Sequence, residues 1–205
     1  GSEMCIRDSS IQLSLQMQKG SKADGTLGYM TEEQYEQLVN SDFVEQAGHR
    51  RIIGYASNTS SHSIEINYAD SVQQELTFCV PTHGAAPEKA NEIATTDLAL
   101  KALGVEPKIG AAVPLEFELR GKTYHYDMVL SGWWEASNDS VSVATVSEQF
   151  IKENPDVVQN TYAVDHEMSG VTFSDVVLKN KENVQQQLNA VSYTHLRAHE
   201  TLRHL

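Results

Sequence analysis

Apolar and polar residues alternate in several short stretches of this 205-residue chain. Alternation with a period of two is typical of a strand that has one buried face and one solvated face. In one such stretch, Ile64 and Ile66 alternate with Glu65 and Asn67, so we expect the first pair to be buried and the second to face water. Strands or hairpins are predicted over Ile11–Met17, His49–Ala56, Ser63–Tyr68, Glu75–Val80, Val113–Trp134, Val141–Val146, Thr161–Val164 and Val171–Leu178.

The clearest hairpin spans Val113–Trp134 and turns at Arg120-Gly121-Lys122. Cross-strand neighbours share a face, so the apolar residues of both arms are expected to line one side. The pair Trp133-Trp134 ends the second arm, where one tryptophan of such a pair is usually core and the other can offer an aromatic surface. The residues predicted to share the inner face are Val113, Leu115, Phe117, Leu119, Tyr124, Tyr126, Met128 and Leu130.

Capping residues mark the helices. Thr31-Glu32-Glu33-Gln34 has the capping-box pattern, in which the threonine hydroxyl and the glutamine side chain each bond the other's backbone N–H. The helix that follows is expected to place Tyr35, Leu38 and Val39 on one face. Further helices are predicted from Thr95 or Thr96 up to a left-handed Gly104, after Ser147, and over about Lys181–Val191. Turn-rich connections are predicted over Lys19–Gly25 and Pro81–Pro87.

Strands outnumber helices and pair as hairpins, which indicates a strand-rich mixed fold of the α+β class. Hydrophobic residues make up 40% of the chain and charged residues 21%, as in ordinary globular proteins. The formal net charge is −13, from 28 acidic and 15 basic residues. A surface that neutralises phosphates needs clustered basic side chains, so we expect no nucleic-acid partner.

No sequence motif indicates catalysis. The chain lacks the G-x-x-x-x-G-K-[ST] phosphate loop, the G-x-S-x-G elbow and a C-x-x-C pair. It is therefore not the ATP-hydrolysing part of any transporter, and we expect no enzyme activity, no cofactor, and no catalytic or metal-ligating residue. Cys79 lies in an apolar run and is expected to be a buried small hydrophobic residue.

Three polar groups could be mistaken for sites. His125 and Asp127 are expected to share the outer face of the hairpin, but a catalytic zinc normally takes three protein ligands. In Asp165-His166-Glu167, a strand would point the histidine away from both carboxylates, so a solvated stretch is expected. His195, His199 and Glu200 read H-x-x-x-H-E, which is not the H-E-x-x-H order of zinc proteases.

Both ends of the chain look foreign to the domain between them. Residues 1–9 and 191–205 resemble the products of translated sequencing-adaptor DNA, through Gly1–Ser9 and Ser192–Thr201. Segments of this kind are left out of fold reasoning. We therefore expect a non-native leader over 1–9, one domain over 10–190 that is incomplete at its C-terminal side, and a non-native tail over 191–205.

The order of the remaining segments resembles the large extracytoplasmic domain of MacB/FtsX-type ABC transporter permeases. Together the matching segments cover most of the chain between Ser10 and Ala190. They are Met30–Tyr35, Val44–Gly54, Gly84–Gly104, Gly110–Leu119, Leu130–Trp134 and Val146–Phe150.

The resemblance implies a domain placed between the first two membrane helices of a permease, on the extracytoplasmic face of the cell membrane, with a βαβ-rich lobe and a small β-rich lobe. It implies a cytoplasmic ATP-binding subunit and a second permease copy or half as partners, and a peptide or lipid as ligand. In this interpretation the domain couples ATPase-driven movement to export or sensing of a peptide, lipid or lipoprotein-like substrate.

Two alternatives remain open at this stage. One is a secreted or surface interaction module that binds a peptide or a cell-wall component through Trp133-Trp134. The other is a metal-dependent hydrolase that uses His125, Asp127 or His166. Retention of stoichiometric zinc would distinguish the hydrolase from both binding proteins.

Overall fold

The structure is a computed structural model that describes residues 12–15, 20–59, 62–137, 142–158, 170–183, 186, 187 and 189. The chain divides into two compact units. The first contains Gly1–Arg50, Asp70–Phe78 and Val171–Leu205, and the second contains Arg51–Ala69 and Cys79–Gly170. The strand predicted over Thr161–Val164 lies outside the described residues, as does much of the helix predicted over Lys181–Val191.

Within its described residues up to position 183, the first unit is an antiparallel sheet in the strand order β1-β2-β11-β3 with two helices. Its apolar core brings strands from both ends of the sequence together with one helix. The elements are β1 (Gln12–Leu15), β2 (Gly25–Met30), α1 (Glu32–Val39), β3 (Val44–Ala47), α2 (Ser71–Leu76) and β11 (Thr172–Leu178). The buried cluster consists of Leu27, Met30, Leu38, Val44, Val176 and Leu178.

Helix α1 begins with the predicted capping box. The Gln34 N–H donates to Thr31 Oγ1 at 3.1 Å, and the Thr31 N–H donates to Gln34 Oε1 at 2.9 Å. The predicted apolar face is only partly right, because Leu38 is fully buried and Val39 is 46% exposed. The buried side chain of Gln34, which completes the capping box, occupies the inner side of the first turn instead.

The strand predicted over Glu75–Val80 is wrong, because helix α2 ends at Leu76 and a turn and an irregular connection follow it. Asp70 caps the helix by accepting the Gln73 N–H at 2.8 Å. An aspartate followed three residues later by glutamine is a helix-start signal, so the sequence did contain the information. The apolar run that follows α2 is a turn and an irregular connection.

The second unit is a mixed sheet in the order β4-β5-β10-β7-β9, with β8 and β6 paired to β9. The β5–β10 and β7–β9 pairs are parallel, and the β10–β7, β8–β9 and β6–β9 pairs are antiparallel. The strands are β4 (Arg50–Tyr55), β5 (Ile64–Ala69), β6 (His83–Gly84), β7 (Glu92–Thr96), β8 (Ala112–Leu119), β9 (Lys122–Trp134) and β10 (Ser142–Val146). The helices are α3 (Asp97–Ala102), α4 (Glu148–Glu153) and a 3-10 helix (Pro155–Val158). The predicted α+β class is thus confirmed.

Helices α3 and α4 begin where the sequence predicts, and α3 also ends there. Thr96 accepts the Ala99 N–H at 3.1 Å, and Ser147 accepts the Phe150 N–H at 3.0 Å. Gly104 has a φ of 73° and ends α3 as predicted. The residues just before α3 form strand β7, which the sequence pattern did not predict.

The predicted solvated face of β5 is wrong. Glu65 is 4% exposed and Asn67 is 2% exposed, so both faces of this strand are buried. The buried polar groups satisfy one another: Asn67 Nδ2 donates to Glu65 Oε2 at 2.6 Å, and Thr145 Oγ1 donates to Asn67 Oδ1 at 2.9 Å. Alternation predicted the two faces of β5 correctly but could not show that its polar face would also be covered.

Strand β9 has partners along both edges. One edge pairs with β7 over Val129–Trp134, with a register shift that leaves Ser131 as an extra residue. The other edge pairs with β8 over Lys122–Val129 and with β6 at Gly132 and Trp133. A Cβ atom added at Gly132 would lie 2.4 Å from the Ala85 carbonyl oxygen, so only glycine allows the backbone before and after β6 to approach this closely.

Gly132→Ala should therefore destabilise the fold by about 1–3 kcal/mol, because rigid backbone has to move to admit the methyl group. Gly54→Ala is the matched control in another strand, since its Cβ would first meet the flexible Leu119 side chain at 3.3 Å. We expect the control to change stability by less than about 1 kcal/mol. Denaturant unfolding measures both, and equal losses would contradict the close-approach explanation.

Asp175 is a buried carboxylate in β11 and is 7% exposed. Burial raises the pKa of this carboxyl above its usual value. The hydrogen bond from Gln73, the charge of Arg50 and the hydrogen bond from Thr26 act in the opposite direction and compensate only in part. A folded-state pKa above the unfolded value of 3.8 means that this group favours folding at low pH, and that the contribution is lost as the pH rises through the raised pKa.

Asp175→Asn should accordingly be neutral or stabilising at pH 7, because it removes the buried charge and keeps an oxygen that accepts from Gln73. It should also remove the part of the stability loss that occurs as the pH rises above about 4. Thermal melts between pH 4 and pH 8 measure both effects. Asp127→Asn, at a side chain that is 92% exposed, is the charge-matched control. A clear loss of stability at pH 7 in the Asp175 variant would contradict the assignment.

Candidate functional site

The two adjacent tryptophans of β9 have different environments. Trp134 is 5% exposed, whereas Trp133 is half-buried and packs against the rim of the apolar core of the second unit. The imidazole of the exposed His83 stacks on Trp133, with ring centroids 3.8 Å apart and ring planes 5° apart. One tryptophan is therefore core and the other contributes to a surface, as the sequence suggested for the pair.

Pairing of β6 with β9, which are distant in sequence, brings His83 to Trp133. The two residues are directly opposite each other, and the Thr82 N–H donates to the Trp133 carbonyl at 3.1 Å. The Ala85 N–H donates to the Ser131 carbonyl at 2.9 Å, and Ser131 Oγ returns a bond to the Ala85 carbonyl at 3.0 Å. The extra residue of the β7–β9 register shift thus fixes the segment that carries His83.

Ile109 adds an exposed apolar side chain next to the stack. It is 47% exposed, and a Cβ atom added at Gly84 would lie 2.6 Å from its Cδ1 atom. We call His83, Gly84, Ile109 and Trp133 the edge site. Its exposed surface is aromatic and aliphatic, so it can contact an apolar or planar group, and it contains no carboxylate or nucleophile for catalysis.

The loop that joins β6 to β7 is fixed at its far end by Glu92. This carboxylate accepts the N–H groups of Lys89 at 2.7 Å and Glu88 at 2.9 Å. The bond from Lys89 is the main cause that lowers the pKa of Glu92, while slight burial acts in the opposite direction. Because Ser147 Oγ also donates to the Lys89 carbonyl at 2.9 Å, the loop is held on both sides.

Tyr126, on the inner face of the hairpin, has a structural role. Burial, followed by the nearby Asp156 carboxylate and Tyr124, raises the pKa of its phenol. The hydroxyl donates to Asn154 Oδ1 at 3.1 Å, and the ring meets Phe150 edge-on at a centroid distance of 5.0 Å. The phenol is therefore a neutral donor that fixes the hairpin to the segment after α4.

His125 and Asp127 lie on the outer face of the hairpin, as predicted. His125 Nε2 is 3.1 Å from Asp127 Oδ1, and the two side chains are 55% and 92% exposed. Within the part of the chain that the structure describes, no group of three or more His, Cys, Asp or Glu side chains could hold a metal ion. His166, His195, His199 and Glu200 lie outside the described residues.

The prediction that Cys79 is buried is wrong. Among the described residues it forms no disulfide, and it is only half-buried, because the chain has left α2 and runs in an irregular connection at this point. The apolar neighbours Phe78 and Val80 are also exposed, at 59% and 43%. The apolar run that suggested a buried strand is therefore a surface segment.

Comparison with solved structures shows which known domains share this fold. The structure aligns with the extracellular domain of the noncanonic ABC-type transporter YknZ from Gram-positive bacteria at a TM-score of 0.50 and 12% identity, over 90% of this chain and 95% of that chain. The chain has the fold of that extracellular domain. The resemblance predicted from the sequence is thus confirmed at the level of the fold.

Two further solved structures are similar at lower scores. They are the periplasmic region of MacB from Actinobacillus actinomycetemcomitans (TM-score 0.47, 9% identity, 92% of this chain and 84% of that chain) and a permease domain from Porphyromonas gingivalis (TM-score 0.43, 11% identity, 75% and 65%). No family model and no curated protein matches the sequence. None of the helices in the described part of the chain is long and apolar enough to cross a membrane.

The stack predicts that His83 shields Trp133 from solvent. In a Trp134→Phe background, Trp133 is the remaining tryptophan, since the chain has two. His83→Ala should increase quenching of its fluorescence by acrylamide, because the exposed ring face loses its cover. His125→Ala removes an imidazole from the same strand and should leave quenching unchanged. Equal quenching with and without His83 would contradict the stacked arrangement.

Proposed function

We propose that this chain is the extracytoplasmic domain of an ABC transporter permease of the MacB/FtsX type. The supporting observation is the fold shared with the YknZ extracellular domain over 90% of this chain. The order of sequence segments supports the same assignment independently of the coordinates. The domain is proposed to be non-catalytic, since its part in the transporter is mechanical and requires no reacting group.

In the proposed mechanism, movement is supplied from outside the domain. A separate cytoplasmic ATP-binding subunit closes on nucleotide, and membrane helices of the permease transmit that movement to the extracytoplasmic side. A second permease copy or half would provide the opposing domain. The transported or sensed molecule would be a peptide, a lipid or a lipoprotein-like substrate.

The edge site favours a second candidate function. An interaction module that binds a peptide or a cell-wall component needs an exposed aromatic surface, and the His83–Trp133 stack with Ile109 provides one. This candidate predicts a protein that is released into the medium. The permease predicts that the same domain remains in the membrane fraction with its active ATP-binding partner.

Labelling of the full-length protein encoded by the source gene tests the permease assignment. All native cysteines, Cys79 among them, are replaced by serine, and Glu118→Cys places one thiol on the exposed face of the hairpin. A membrane-impermeant maleimide should label this thiol in intact spheroplasts as fully as in lysed ones, because the domain is outside the membrane. The protein should pellet with membranes.

Leu115→Cys is the control, since Leu115 is 1% exposed and its thiol should react only after denaturation. Labelling of Glu118→Cys that requires lysis would place the domain in the cytoplasm and overturn the proposal. Labelled protein found in the medium would favour the interaction module. Sequencing through both ends of the source gene adds an independent test, because the permease requires apolar helices on both sides of the domain.

A further inference from the structure

Helix α2 lies in a short segment that belongs to the first unit, although the residues before and after it belong to the second unit. The chain leaves the second unit after Ala69, contributes Asp70–Phe78 to the first unit and re-enters the second unit at Cys79. Asp70 follows directly on the last residue of β5, so no linker precedes the helix. We call Asp70–Phe78 the α2 segment.

The N-terminal end of the α2 segment is held by one carboxylate. Asp70 Oδ1 accepts the N–H of Gln73 at 2.8 Å and that of His49 at 3.1 Å. The Asp70 N–H donates in turn to the His49 carbonyl at 3.0 Å. The same side chain therefore caps the helix and joins it to the connection between β3 and β4.

The middle of the segment is held by a reciprocal pair of buried polar groups. Gln73 Nε2 donates to Asp175 Oδ1 at 3.0 Å, and Gln73 Oε1 accepts the Asp175 N–H at 3.1 Å. Gln73 is 2% exposed. A Cβ atom added at Gly48 would lie 2.7 Å from the Gln73 Cα atom. Only glycine at position 48 therefore lets the backbone of α2 come close enough for Gln73 to bond Asp175.

The C-terminal end of the segment is a strained aromatic residue. Phe78 has a φ of 58°, in the left-handed region that bulky side chains disfavour, and it is 59% exposed. The Lys22 ammonium lies 4.9 Å from the centre of its ring and 2.6 Å from Glu75. Strain at this end opposes the docked conformation and is relieved when the segment leaves.

Apolar packing contributes less to α2 than to α1. Among the described residues, the buried apolar cluster of the first unit has no member from α2, although Leu76 is 6% exposed. The anchors described above are hydrogen bonds, an ion pair and a cation–π contact. Each of these exchanges for water when the segment detaches, so its net stabilisation is small compared with that of a packed apolar side chain.

We propose that the α2 segment is a releasable strap, which detaches from the first unit while the β2–β11 sheet stays folded. Its nine residues would then form a loop tethered at both ends, with a contour length of about 30 Å. Release needs no transporter partner and can be measured on the chain alone. The proposed function and the proposed release can therefore fail independently. The chain can be a transporter domain in which α2 does not detach, or α2 can detach in a chain that has no part in a transporter.

Native-state hydrogen exchange of the full chain, followed by mass spectrometry at increasing denaturant, tests the strap. The reporters are the amides of Gln74 and Thr77, which donate to the carbonyls of Asp70 and Gln73. They should exchange at least about tenfold faster than amides of β2 and β11, with little dependence on denaturant, because local opening exposes little surface. Exchange at the same rate and with the same denaturant dependence as β2 and β11 would overturn the proposal.

Gln73→Ala removes both bonds of the reciprocal pair and should speed exchange in α2 by about 10- to 100-fold, with less than about threefold change in β2 and in β11 apart from the Asp175 amide, which donates to Gln73. Ser147→Ala, which removes the cap of α4 and the bond to the Lys89 carbonyl, is the matched control and should leave exchange in α2 unchanged. If Gln73→Ala does not fold, Asp70→Ala replaces it, because this variant keeps the Gln73–Asp175 pair. It should likewise speed exchange in α2 much more than in β2 and β11. An equal increase across α2, β2 and β11 would show that α2 opens only with the whole unit.

Discussion

The 13-residue strand β9 needs backbone hydrogen-bond partners, and the second unit is arranged around this requirement. On one edge, β7 pairs with the C-terminal half of β9. On the other edge, β8 pairs with the N-terminal half, the backbone of residues 110 and 111 pairs with Leu130, and β6 pairs near the C-terminal end. All of these partners precede β9 in the chain, so pairing with β9 determines where the β6–β7 loop lies and, with it, where His83 meets Trp133.

The two units both contain buried polar groups and differ in the size of their apolar cores. The second unit has a large apolar core that includes Phe117 and Phe150, against which Tyr124 and Tyr126 pack along the hairpin. The first unit has a smaller apolar cluster, and burial raises the pKa of its Asp175 carboxyl. Apolar burial favours the folded state almost regardless of pH, whereas buried polar groups couple it to the protonation of particular side chains.

The sequence predicted elements that depend on neighbours along the chain. The capping box at Thr31, the helix end at Gly104 and the hairpin around Gly121 all involve residues within a few positions of one another, and all are confirmed. The fold class and the resemblance to an extracytoplasmic permease domain are also confirmed at the level of the fold.

The sequence did not predict features that depend on distant partners. The burial of Glu65 and Asn67 requires knowledge of what covers the second face of β5, and the stack on Trp133 requires the pairing of β6 with β9. The run at Cys79 was misassigned because its apolar residues belong to an exposed connection. The candidate edge site lies in this second group, which is why only its tryptophan pair was noticed in advance.

The extra residue at Ser131 determines on which face of the sheet each tryptophan lies. Before the shift, Leu130 is opposite Ile93, and after it Trp133 is opposite Thr95, so Trp133 shares the face of Leu130 although an odd number of residues separates them. In a sheet without the shift, Trp134 would take that place and Trp133 would turn to the other face. A relative that lost one residue here could therefore keep both strands and both tryptophans and yet present the opposite ring at the edge. In a sequence alignment of two such chains, this difference would appear only as a gap of one residue, although the two chains would expose different tryptophan rings.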